Sequence, residues 1–223
     1  MRLARSLLNK LLPRLRRYFG LNAVLVLRRV LAGVPRVPCA RPDLECRPLS
    51  EADALALAPD PQLELTEQWI RDAYARDCVC LGAFANGELL GYTWLAFGDT
   101  PYDDSVWIRF DQRLRYTYKS FVRPECRGKR IIQALHALAD RPELCRGRHF
   151  TVAFVNADNA SSLAALERAG WGRTGFAVYA KCFGALIALH SPGVKRAGIR
   201  LHRPARASHA PVTGTVGTEP AGG

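Results

Sequence analysis

The first 42 residues contain no Asp or Glu, against ten Lys and Arg. Residues 191–223 carry one acid, Glu219, against five basic side chains. The middle, residues 43–190, holds 17 basic and 19 acidic residues, so the formal charge of +12 belongs to the ends. A near-neutral middle argues against a nucleic-acid-binding core. Long hydrophobic runs are missing as well. Leu21 to Leu27 stops at Arg28-Arg29, far short of the ~20 apolar residues that span a bilayer. No secretory leader is read, because Lys10 and Arg14 to Arg17 interrupt any apolar stretch. The seven cysteines have no metal-ligand spacing. Their odd number suits a reducing compartment, with Cys78 and Cys80 on one face of an apolar strand. No internal repeat is present, and no metal is expected.

What is present begins with apolar content of 48% over 223 residues, enough for one domain with extensions. Three segments are expected: a basic extension and linker over 1–42, a domain over 43–190, and a basic, then disordered tail over 191–223. Residues 2–19 predict an amphipathic helix. Its leucines share one half of the circumference, with Arg2, Arg5, Lys10, Arg16 and Arg17 opposite. Such a helix suits an anionic membrane surface. Packing on its own domain or on a second copy of the chain is a competing reading, and an organelle-targeting peptide, Arg-rich and acid-free but nearly without Ser, is a third. Gly33 to Pro42 reads as a linker.

Within the domain, Glu45 to Leu49 predicts a strand and Ser50 to Asp53 a capped helix start. A second helix is expected over Gln62 to Arg76. Cys78–Ala85, Asn86-Gly87 and Glu88–Phe97 predict a β-hairpin. Residues 98–104 are read as an acidic loop and 106–110 as a further strand. Strands at 115–122 and 149–155, helices at 128–139 and 160–169, and two strands within 174–190 complete an α+β pattern.

The most informative stretch is Phe121 to Arg130. A Tyr/Thr/Phe/Val-rich run stops at Pro124, a loop with Arg127-Gly128-Lys129-Arg130 follows, and Ile131, Ile132, Leu135 and Leu138 open a helix. A strand, tight loop and helix present unpaired N–H groups and a positive dipole end to a phosphate. With Val122-x-Pro124, this stretch resembles the acyl-CoA-binding motif of the GNAT acetyltransferase superfamily. Arg130 and Ile132 stand where that motif has small residues. A second block, Asn159 to Gly170-Trp171, resembles a later motif of the same superfamily.

The resemblance implies a divergent GNAT fold: a mixed central sheet with flanking helices. It implies acyl transfer from acetyl-CoA, or another acyl-CoA, to a small-molecule or protein amine. The cofactor contacts it implies are Phe121, Val122, Arg127, Gly128, Lys129, Arg130, Ile131, Ile132, Asn156, Asn159 and Ser162. A tyrosine that reprotonates the leaving thiolate in many members is Leu166 here. Tyr179 is a candidate substitute. Tyr116 and Tyr118, on one face of the cofactor strand, are candidates for orienting a water chain. Asp103, Asp104 and Asp111 fall on the acceptor side. His136 and His149 read as surface or capping residues. Two alternatives stay open: a non-catalytic acyl-CoA-binding module of the same fold, and acyl transfer from an acyl carrier protein. The expected location is the cytoplasm, with a peripheral contact to the inner membrane face through residues 2–19. No nucleic-acid partner is expected, and a homodimer is left open.

Overall fold

The structure is a computed structural model that describes residues 20–31, 43–103, 106–182 and 185–203. The expected N-terminal helix, Gly33–Pro42, Asp104 and residues 204–223 lie outside the described residues. Eleven strands and six α-helices are described, in the order β1 Asn22–Val30, β2 Glu45–Leu49, α1 Glu51–Leu55, α2 Glu67–Ala75, β3 Val79–Ala85, β4 Glu88–Ala96, β5 Thr100–Asp103, β6 Val106–Arg109, β7 Leu114–Val122, α3 Ile131–Ala139, α4 Pro142–Cys145, β8 Phe150–Asn156, α5 Ala160–Arg168, β9 Gly172–Cys182, β10 Ala185–His190, α6 Pro192–Arg196 and β11 Arg200–His202. Eight strands form one sheet, β10-β9-β1-β8-β7-β4-β3-β2, and β11-β6-β5 form a second.

Local chemistry explains most element boundaries. Ser50 and Asp53 bond each other's backbone reciprocally and start α1. The expected helix over 62–76 is broken. Pro61–Leu63 makes one 3-10 turn, Glu64 turns left-handed at φ 53°, and α2 starts at Glu67 under a Thr66 cap. The Asn86-Gly87 pair takes positive φ at both positions and closes β3 onto β4. Gly91 lets β7 approach β4, since a Cβ there would lie 2.7 Å from the Phe121 carbonyl oxygen. Between Tyr92 and Trp94 the register slips and β7 carries a bulge at Lys119–Ser120, with Lys119 at φ 45°. Residues 98–104, expected as a loop, contain β5.

Two expected boundaries are corrected. Residues 22–30 are not part of a separable extension. β1 lies inside the large sheet, antiparallel to β8 on one side and β9 on the other. Val26 and Leu27 are adjacent and both fully buried, because both faces of β1 are covered. Val26 packs in the core on one face and Leu27 in the core on the other. A strand covered on both faces shows an apolar run rather than alternation. At the other end, α6 packs on β9 and β11 pairs with β6, with Val194, Ile199 and Leu201 buried. The domain therefore runs past residue 190.

A charged lock joins β1 to the rest. Asp140, just after α3, bonds Arg29 of β1 at 2.7 Å and Arg115 of β7 at 3.2 Å. Arg115 is 1% exposed and also donates to the Ala139 carbonyl. Burial lowers the Arg115 pKa, and the Asp140 charge opposes that shift.

Candidate active site

β7 and β8 are parallel neighbours, but they pair only from Leu114–Tyr116 to Phe150–Val152. Past those residues the strands separate. The gap is a cleft of about 320 Å³. Its walls are Thr117–Ser120 and Val122 on β7, and Ala153–Asn156 on β8. Ile132, Gln133 and His136 on α3 close one side, with Asn159, Ser162, Ala165, Leu166, Ala169 and Trp171 on and around α5. Tyr102 closes the far end. Side chains alternate across a strand, and residues from both faces of both strands are lining groups. The cleft therefore passes through the sheet. Its α3/α5 mouth is on the Thr117 and Val155 face. Its other mouth is on the face of Tyr118, Phe154 and Tyr102.

The turn that leads into α3 stands beside the α3/α5 mouth. Gly128 takes φ 78° and Arg130 φ 59°, and α3 begins at Ile131 with no side chain capping it. The expected helix start at residue 128 moves to 131 because of these two left-handed residues. Arg130 adopts the backbone that glycine adopts freely, at a cost of about 1–2 kcal/mol. Arg127, Lys129 and Arg130 are exposed around the turn. The first-turn N–H groups and three cations thus lie together at the start of α3, next in sequence to the lining residue Ile132, although residues 127–131 do not themselves line the cleft. Ile132 lines the cleft beside them, whereas Ile131 is buried against Leu81, Leu95 and Leu135. Arg123 has another use: it bonds the Leu89 carbonyl and Asp60.

The other mouth is aromatic. Tyr102 donates to Asn156 Oδ1 at 3.1 Å and packs against Phe154 and edge-on to Tyr179. Tyr179 donates to Asp103 Oδ2 at 3.2 Å, and Lys181 pairs with the same carboxylate at 2.9 Å. Asp103 is therefore a tie between β5 and β9. Asp111 is held by Arg113. The Lys119 ammonium lies 5.0 Å from the centre of the Trp69 ring, and burial lowers its pKa.

Of the site residues read from the sequence, the cleft brings together Tyr118, Val122, Ile132, Asn156, Asn159 and Ser162. Asn159 also caps α5 through the Ser162 N–H at 3.1 Å. Tyr116, Phe121, Arg127, Gly128, Lys129, Arg130, Ile131 and Tyr179 do not line it. Tyr116 is buried, stacked on Tyr118, and Phe121 stacks on Tyr92. Burial raises the pKa of Tyr116 and Tyr118 well above the phenol range, which makes both poor bases. Leu166 lines the cleft where the resemblance places a tyrosine. Tyr102, Lys119, His136 and Trp171 are lining residues the sequence reading did not assign. His136 was expected as a surface or capping residue. It is 6% exposed instead, on the α3 face that Ile132 also uses one turn earlier. That i to i+4 spacing was the available signal. His149 is exposed, as expected.

Among the described residues no cluster of His, Cys, Asp and Glu has a metal-binding arrangement. No helix among them is long and apolar enough to cross a membrane.

The model of the acetyltransferase (GNAT) family matches residues 44–171. No curated protein matches the chain significantly. Among solved structures, a glucosamine N-acetyltransferase region of a fungal multi-domain β-N-acetylglucosaminidase aligns with TM-score 0.52 and 16% identity, over 78% of this chain and 22% of that one. A GNAT-family acetyltransferase of Novosphingobium aromaticivorans aligns with TM-score 0.46 and 16% identity, over 72% and 63%. An acetyltransferase of Clostridium acetobutylicum, solved with acetyl-CoA, aligns with TM-score 0.43 and 15% identity, over 58% and 90%. The chain spans less than two thirds of the length of several structures it matches.

Proposed function

Since the chain belongs to the GNAT acetyltransferase family, we propose that it transfers an acyl group, acetyl or another, from acyl-CoA to an amine by direct attack. The observation that carries this reading is the splay of β7 from β8 after Tyr116, which opens one slot through the sheet between the mouth beside the cationic turn and an aromatic one. The CoA pyrophosphate takes the Arg127–Ile132 turn, where backbone donors and three cations converge. The pantetheine arm runs along the unpaired edge of β7. The thioester sits where the slot crosses the sheet, and the amine enters past Tyr102, Phe154 and Tyr118.

Attack forms the N–C bond and breaks the C–S bond, and the sulfur leaves as thiolate. Leu166 has no proton to give. Tyr118 keeps its proton, which suits it to donate a hydrogen bond rather than to accept the amine's proton. A thiolate with a pKa near ~8.5 leaves without full protonation. The acceptor must therefore arrive as the free amine or lose its proton to water in the slot.

The test is thiol release from acetyl-CoA by the full chain, against a panel of small amines and lysine peptides. Release that depends on an added amine is the expected result. CoA binding without turnover on any amine would favour the non-catalytic reading, which the leucine at 166 supports. Absence of both would overturn the proposal.

A further inference from the structure

His136 is the one histidine lining the cleft. Among the described residues its ring has no hydrogen bond or ion pair, and its Nδ1 is buried without a partner. The residue lines the cleft while its Nδ1 is sealed, which leaves Nε2 as the ring nitrogen able to meet the cleft. The ring packs at 5.6 Å on Trp171. Burial, then the charges of Arg29 and Arg115, push its pKa down to about 3, so the imidazole is neutral at ordinary pH.

A neutral imidazole carries one proton. On Nδ1 that proton would be a sealed donor with no acceptor, whereas on Nε2 it can reach the cleft. The proton therefore sits on Nε2, and the cleft wall presents a fixed, uncharged N–H donor beside Ile132 and Leu166.

We infer that His136 Nε2–H is a binding group for an amide carbonyl of the pantetheine arm. This rests on the acyl-CoA reading above. The arm is the part of that ligand with neutral carbonyl acceptors, and it passes between the cationic turn and the sheet crossing, the stretch that His136 borders. A neutral donor suits such a carbonyl, whereas the phosphates are served by the cations of the turn.

Calorimetry on the full chain with CoA, pantetheine and 3′,5′-ADP tests this, using wild type, His136→Phe and His136→Gln. Phe keeps the ring volume and removes the donor. Gln restores an N–H near the Nε2 position. His136→Phe should weaken CoA and pantetheine by about three- to tenfold, the range of one neutral hydrogen bond, and leave 3′,5′-ADP unchanged. His136→Gln should recover part of the loss. Nitrogen-15 spectra of the wild-type imidazole should show the Nε2–H tautomer, with a shift on CoA addition. If wild type binds CoA and both variants bind it equally well, or the spectra show Nδ1–H, the assignment is wrong. If wild type binds no CoA, the underlying reading fails with it.

Discussion

The two wings of the large sheet are assembled by different rules. In the β2-β3-β4-β7 wing every neighbouring pair is antiparallel and follows chain order. In the β8-β1-β9-β10 wing, a strand from the start of the chain is inserted between two from its second half. The first wing carries β7, the strand with the bulge and the anion turn. The second carries β8, which must hold its place without β7 beyond Val152. β1 supplies that hold, pairing with β8 from Val30↔Phe150 to Val24↔Asn156. One wall of the cleft is thus fixed by local pairing, and the other by a strand remote in sequence.

Removing β1 is the strongest way to break this comparison. Deleting residues 1–31 should abolish the cooperative unfolding transition in circular dichroism, since β8 and β9 both lose a partner and Val24, Val26 and Leu27 leave the core. Deleting residues 1–19 should retain the transition. A folded protein after the longer deletion would show that the wing stands without β1.

The lock between wings comes next. Asp140→Ala leaves the buried guanidinium of Arg115 and the half-buried one of Arg29 without their carboxylate. Urea unfolding should show a loss of about 3–5 kcal/mol, typical for breaking a buried ion pair from one side. A loss like that of an exposed pair, under about 1 kcal/mol, would mean that the lock is open to water.

His136 feels burial first, then the charges of Arg29 on β1 and Arg115 on β7. Its folded pKa, about 3, is below the unfolded value of 6.5. Between those values the unfolded chain binds the proton and the folded one does not, so stability falls as pH drops from about 6.5 toward 3. The slope approaches about 1.4 kcal/mol per pH unit for this one group. The difference between wild type and His136→Phe should contain that slope, and parallel pH profiles would contradict it.

The smallest effect concerns the turn. Arg130→Gly removes left-handed strain of about 1–2 kcal/mol, offset by about 0.5–1 kcal/mol of added chain entropy. Stability should therefore be unchanged or slightly raised in thermal melts. CoA affinity should fall modestly, because one cation leaves the turn. A large loss of stability would show that the Arg130 side chain has a structural partner.

The ordered wing was legible in the sequence because its signals are local. Asn86-Gly87 names the hairpin, Ser50 with Asp53 names a helix start, and Val122-x-Pro124 with Arg127-Gly128 names the turn. β1 was not legible, since a strand buried on both faces gives an apolar run with no period, and nothing nearby names its partners. The site divides in the same way. On the strand–turn–helix unit Val122 and Ile132 were read correctly as cleft residues and Lys119 and His136 were missed, while Tyr102 and Trp171 reach the cleft only through tertiary packing. Tyr116 was misplaced by a shared-face argument that cannot tell which residue of a face meets the gap.

The central claim is that the splay between β7 and β8 is an acyl-CoA slot. Titration calorimetry of acetyl-CoA into the full chain, beside Gly128→Asp, tests it most directly. A Cβ at Gly128 meets open space, so the variant should stay folded despite some strain at φ 78°. Its carboxylate would face the pyrophosphate. The account predicts one site per chain in wild type, displaced by CoA, with affinity at least tenfold lower in Gly128→Asp. Equal binding by a folded Gly128→Asp, or none by wild type, would contradict it.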